Sequence, residues 1–86
     1  MIIGGIMALF WKKSDRREAQ RLVGEGKRAL DPQQKLACFD NAIRADPDYA
    51  PGWSNKGHVL LGLGKHDESL ACCSRAVELS PDYSHA

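Results

Sequence analysis

Leu36-Ala37-Cys38 returns as Leu70-Ala71-Cys72, and Pro47-Asp48-Tyr49 returns as Pro81-Asp82-Tyr83, both at an offset of 34 residues. Ala42 and Ala76 keep the same spacing, and Ile43 is matched by Val77. A fixed period of that length marks stacked helix-turn-helix units. One such unit cannot bury its apolar face alone, so its usual work is to pack on its neighbours and present a surface.

Working outward from the repeated stretch, Asp46-Pro47-Asp48 closes a helix, because the residue before a proline disfavours helical backbone. Asp31-Pro32 opens that helix: Asp31 suits the N-cap, Pro32 suits the first turn, and Gln34 is placed to reach back. The expected helix runs from Pro32 to about Ala45. Leu36, Phe39, Ala42 and Ile43 form its inward stripe. Pro51 opens a third helix with Trp53, Gly57, Leu60 and Leu61 along one side and Ala50 before them. It ends near Leu63, where Gly64 suits a left-handed cap. Asp67 starts a fourth helix with a stripe of Leu70, Cys73, Ala76 and Val77, and Ser80-Pro81-Asp82 ends it.

Upstream, Ser14 or Asp15 starts a first helix, and Asp15 with Glu18 makes a capping-box pattern. This helix runs to about Ala29, with Ala19, Leu22, Val23, Ala29 and Leu30 at rough helical spacing. Gly24 and Gly26 weaken it by about 1 kcal/mol each relative to alanine, and they leave room for close helix approach. All connections are short, so neighbouring helices are expected to be antiparallel.

Eighty-six residues make one small domain, with a stability of about 4–10 kcal/mol by the per-residue rule. The hydrophobic share of 43% and charged share of 27% fit a soluble globular chain. The net charge of +1 hides an asymmetry: residues 1–30 carry +4 and the remainder −3. Three cysteines, Cys38, Cys72 and Cys73, are an odd number without a disulfide framework. Cys72 and Cys73 diverge by about 100° on a helix. Reduced, mostly packed thiols in a cytoplasmic protein are expected. No histidine or cysteine pair has convincing zinc spacing, so no metal and no cofactor is expected.

Residues 1–13 are set apart as an apolar N-terminal segment, Met1 to Trp11 followed by Lys12-Lys13. The apolar run is shorter than the ~20 residues a bilayer span needs. It lacks the layout of a signal peptide. Three readings stay open: an extension upstream of a start at Met7, a segment packed on the repeats, or a weak membrane-surface anchor.

Residues 50–83 resemble a tetratricopeptide repeat, whose pattern is W-x₂-L-G-x₂-Y, then A-x₃-F, then P. The chain supplies Trp53 and Gly57, Leu60 in the Tyr place, Cys73 in the Phe place and Pro81; Lys56 and Ser69 replace the Leu and the first Ala. Ala76 fits the other small site. Residues 14–49 resemble a degenerate copy, matching at Leu22, Phe39, Ala42 and Pro47. In that copy Ala19 replaces the Trp, Val23 the Gly, Gly26 the Tyr and Lys35 the Ala. The resemblance implies an all-α fold of two stacked antiparallel helix-turn-helix repeats, an α-solenoid, with Trp53, Gly57, Phe39, Ala42, Ala76 and Pro81 structural. Residues 84–86 would begin a truncated continuation, leaving an apolar flank of the last helix uncovered.

The same resemblance implies that the first helix of each repeat lines a concave groove. Carried over residue by residue, the groove holds Arg17, Gln20, Arg21, Gly24, Lys27 and Arg28 in the first copy, and Pro51, Ser54, Asn55, His58, Leu61 and Gly62 in the second. A non-enzymatic protein–protein interaction module is expected, docking a peptide or partner helix, with four cations favouring an acidic one. One subfamily clamps the C-terminal carboxylate of chaperones; this chain matches it only at Asn55, with Gln20 and Gly24 where that clamp carries Lys and Asn, so the clamp is rejected. The alternative is a fragment or small subunit that forms a homo-oligomer through the flank of its last helix. His58, His66 and His85 form no catalytic triad pattern. Gly62-Leu63-Gly64-Lys65 is not a phosphate-binding loop. Neither a nucleic-acid nor a membrane partner is expected.

Overall fold

A computed structural model describes residues 15–80. The expectations for residues 1–13, for Ser14 as a helix start, for Pro81 and for residues 84–86 lie outside them. The described residues form four helices: α1 (Arg16–Arg28), α2 (Pro32–Ala45), α3 (Ala50–Gly62) and α4 (His66–Leu79). They pack as two antiparallel pairs, α1 with α2 and α3 with α4, joined through α2 against α3. The architecture is the all-α stack of two helical hairpins that the 34-residue period implies.

The ends of the helices follow local chemistry. Asp15 caps α1, its side chain accepting from the N–H of Glu18 at 3.0 Å. The chain leaves α1 at Ala29, about where the sequence places its end, and Leu30 is 93% exposed in the turn. Asp31 precedes Pro32 as expected but makes no side-chain cap bond. α3 starts at Ala50, one residue before Pro51, and ends with Gly64 at φ +83°. The N–H groups of Gly64 and Lys65 donate to Leu61 and Leu60 at 3.0 and 2.9 Å, and the left-handed glycine makes this double closure possible. α4 begins at His66, with Asp67 and Glu68 in its first turn, where carboxylates favour the helix dipole.

The core of the first pair is Ala19, Val23, Phe39, Ala42 and Ala45, with Leu22, Tyr49 and Val59 packed against it. Gly26 is a close-approach position: a Cβ there would sit 2.5 Å from the ring of Phe39. In the second pair Gly57 has the same role, its missing Cβ lying 2.6 Å from Cys73 Sγ. Ala50, Leu60, Cys72 and Ala76 are buried, and Ser69 Oγ donates to the carbonyl of Gly57 at 2.8 Å. Two expectations need correction. Leu61 is 52% exposed and does not share the buried side of α3 with Leu60. On α4 the buried face is Ser69, Cys72 and Ala76, while Leu70 and Val77 are 67% and 45% exposed. Their counterparts Leu36 and Ile43 are half-buried, and a Cβ on Gly52 of α3 would stand 3.3 Å from Ile43. Among the described residues no third pair covers α4 in the way that α3 covers α2.

Trp53 fills its repeat position without being buried outright; its indole N–H donates to the carbonyl of Pro47 at 2.7 Å, across the turn between the pairs. Burial pushes the Cys72 thiol up, with nearby Lys56 pulling the other way. Cys38 and Cys73 are less enclosed. In native protein at neutral pH, Cys72 is therefore expected to be the last of the three to react with iodoacetamide, with mass spectrometry of timed digests as the check. Early modification at Cys72 would show that α4 opens away from α3.

Candidate functional site

The end of α1, the first two turns of α2 and the second half of α3 line a cleft of about 430 Å³. Phe39, Val59, Pro32 and Leu63 make its apolar wall, and Lys27, Lys35, Asn55 and His58 its polar rim. Lys27 and Lys35 stand at the α1–α2 turn, whereas Asn55 and His58 rise from α3 one turn apart. No acid lines the cleft among the described residues. Lys35 Nζ donates to the carbonyls of Gly26 and Lys27, both at 3.3 Å, at the end of α1, where the Gly26 carbonyl also accepts from the N–H of Ala29 at 3.2 Å. Asn55 spends one amide N–H on the carbonyl of Pro51 at 2.7 Å.

Of the residues expected in the groove, the structure gathers Lys27, Asn55, His58 and Gly62 in this cleft. Arg17, Gln20, Arg28, Ser54 and Leu61 stand outside it, and Arg28 folds back along α1 so that its Nη1 would lie 3.7 Å from a Cβ on Gly24. Arg21 belongs to a second cleft, of about 350 Å³, with Leu22, Asn41 and Arg44. There it is already neutralised. Its guanidinium binds Glu18 at 2.6 and 3.1 Å and Glu25 at 2.5 Å, and the hydrogen bonds of Glu18 hold it in the charged form. Lys56, likewise, is tied to Asp40 of α2 at 2.6 Å; this bond raises its pKa, so the pair persists until pH rises above the ordinary lysine range.

Sequence reasoning missed Lys35, Pro32, Phe39, Val59 and Leu63 as cleft residues. A signal for Lys35 was present: it replaces the small residue of the repeat pattern, where the second pair has Ser69. A lysine at a position that normally packs between helices must send its ammonium out along the helix end, which is where the cleft opens.

The chain matches the tetratricopeptide repeat family over residues 50–83. Over 54 residues, 63% of this chain, the sequence is 39% identical to "Protein STIP1 homolog" of Dictyostelium discoideum, of which it covers 10%. Over 59 residues, 69% of this chain, it is 36% identical to "Serine/threonine-protein phosphatase T" of Trypanosoma brucei brucei, of which it covers 12%. The chain thus spans about a tenth of the length of these curated relatives. No solved structure matches it significantly. Tetratricopeptide repeats stack to present a surface; the cleft departs from the expected first-helix groove, taking one residue from α1 and three, Pro32, Lys35 and Phe39, from α2. No helix among the described residues is long and apolar enough to cross a membrane, and no group of histidine, cysteine and acidic side chains there could hold a metal ion.

Proposed function

We propose that this chain is a non-enzymatic protein-interaction module, with residues 14–49 acting as a degenerate tetratricopeptide repeat beside the repeat at 50–83. A peptide segment or partner helix docks at the cleft between the α1–α2 hairpin and α3. The observation that carries this reading is the convergence of Lys27, Asn55 and His58 from two helices over an apolar wall. Concave, mostly apolar surfaces with a few convergent polar groups are the usual form of a binding site. The cation-rich, acid-free rim supports an acidic partner. The likeness to the phosphatase covers 12% of that protein and brings no catalytic claim with it. The free thiols of Cys38, Cys72 and Cys73 suit a cytoplasmic setting.

The test is a display selection of random peptides on the purified chain, with hits mapped by amide chemical-shift changes. Hits are expected to move the signals of Asn55, His58, Val59 and Leu63. Hits that map instead to α4 around Leu70 and Val77 would overturn the cleft reading. They would favour the second one, association through that exposed flank, whose own support is the exposure of these two side chains.

A further inference from the structure

Among the described residues Arg16, Arg21, Lys56 and Arg75 each meet a carboxylate. Arg17, Lys27, Arg28, Lys35, Arg44 and Lys65 make no ion pair there, and of these six only Lys27 and Lys35 stand on the cleft rim. Lys35 reaches only the backbone carbonyls at the end of α1, at 3.3 Å each, so one of its three N–H donors is left to point outward. Next to these ammonium groups lies an apolar wall formed by Phe39, Val59 and Leu63, in a space of about 430 Å³. That is room for one large side chain together with its flanking backbone.

Resting on the docking reading above, we propose that Lys35 is a specificity-determining residue, and that with Lys27 it selects a peptide segment carrying a large apolar side chain flanked by acidic side chains. The apolar side chain enters against Val59 and Leu63. The neighbouring carboxylates meet Lys27 and Lys35 in charge-assisted hydrogen bonds. Lys35 is the distinguishing element because the second pair places Ser69 at the same position, and Ser69 spends its hydroxyl inside the pair, on Gly57. The first pair thus uses for recognition a position that the second uses for packing. A basic segment would set like charges together and be rejected.

The experiment uses the full chain, isotope-labelled, and a peptide with blocked ends, acetyl-Glu-Glu-Leu-Glu-Glu-amide, so that only side-chain carboxylates are offered. Counterparts carry alanine in place of the leucine, or lysines in place of the glutamates. The acidic leucine peptide is expected to shift the signals of Val59 and Leu63. The alanine and lysine counterparts are expected to leave them in place. Lys35→Ser is expected to weaken binding about fivefold, the scale of one exposed charge contact, with Lys35→Arg restoring most of it and far-ultraviolet circular dichroism unchanged in both. Equal binding of the lysine peptide, or unchanged binding by Lys35→Ser, overturns the inference. If the display selection still yields cleft binders without acidic residues, the docking reading stands and only this assignment falls. If neither experiment places any peptide in the cleft, both fall.

Discussion

Gly26→Leu is expected to unfold most of the chain, and adding Val23→Gly and Phe39→Cys is expected to bring helix back. The two helical pairs solve one packing problem in opposite ways. In the first, the ring of Phe39 lies over Gly26, with Val23 one turn earlier. In the second, Leu60 stands at the position of Gly26, Cys73 at that of Phe39 and Gly57 at that of Val23. Bulk has moved from the second helix of the pair to the first, so each pair holds one large side chain and one glycine, with Gly57 lying against Cys73 Sγ. A Cβ at position 26 would already lie 2.5 Å from the ring, and Phe39 is 2% exposed with nowhere to move. Overpacking costs about 1–3 kcal/mol or more, and expelling the ring approaches the ~3–5 kcal/mol of deleting a core phenylalanine. Against a stability of about 4–10 kcal/mol, that leaves little folded protein. The three-residue exchange copies the packing of the second pair, so its loss falls short of the summed single losses by about 0.5–3 kcal/mol. Urea titrations followed by circular dichroism provide the check. A triple variant no more stable than Gly26→Leu alone would show that the two pairs are not interchangeable solutions.

The second large effect centres on Asp46, which is 2% exposed. Its Oδ2 accepts from Arg16 Nε at 2.5 Å and its Oδ1 from the N–H of Asp48 at 3.1 Å. The guanidinium also lies over the ring of Tyr49, 5.0 Å from its centroid, and the bond to Asp46 holds it in the charged form. Asp46→Asn keeps the shape and the bond from Asp48, but turns an amide N–H toward the N–H of Arg16. The expected loss is about 1.5–3 kcal/mol, the worth of a hydrogen bond between charged groups. Arg16→Ala is expected to lose a similar amount, because the carboxylate left behind remains buried. The double variant should be little worse than either single one, since both remove the same bond. Arg17→Ala, one residue along and exposed, should change stability by less than about 0.5 kcal/mol. Fully additive losses at Arg16 and Asp46 would mean that the two side chains act separately.

Much of this architecture was legible in the chain because helix boundaries are written in local chemistry. Asp15, Pro32, Gly64 and the Asp-Pro pair at 46–47 act within one turn of where they sit, so a reader needs no knowledge of the rest of the fold. Which side of a helix is buried depends on what lies across from it, and there sequence reading went astray. On α4 the expected stripe of Leu70, Cys73, Ala76 and Val77 gives way to Ser69, Cys72 and Ala76, and Leu70 and Val77 lie on the flank expected to be uncovered. The cleft shows the same division. Lys27, Asn55 and His58 were reached by position within the repeat. Lys35 was passed over because it breaks the pattern, and Arg21 was counted as a free cation because its bonds to Glu18 and Glu25 depend on rotamers that a sequence does not display.

The bond between Arg16 and Asp46, the N–H of Asp15 on the carbonyl of Ala45 at 2.8 Å and the indole of Trp53 on Pro47 all lie at one end of the helices. The cleft lies at the other end, about 20 Å away along α1. The first two bonds clasp the start of α1 to the end of α2 within the first pair, and the indole of Trp53 carries the clasp on to α3. Position along the helices thus separates two polar tasks: the buried carboxylate of Asp46 holds the first pair shut, and the cations left for a partner stand a helix length away.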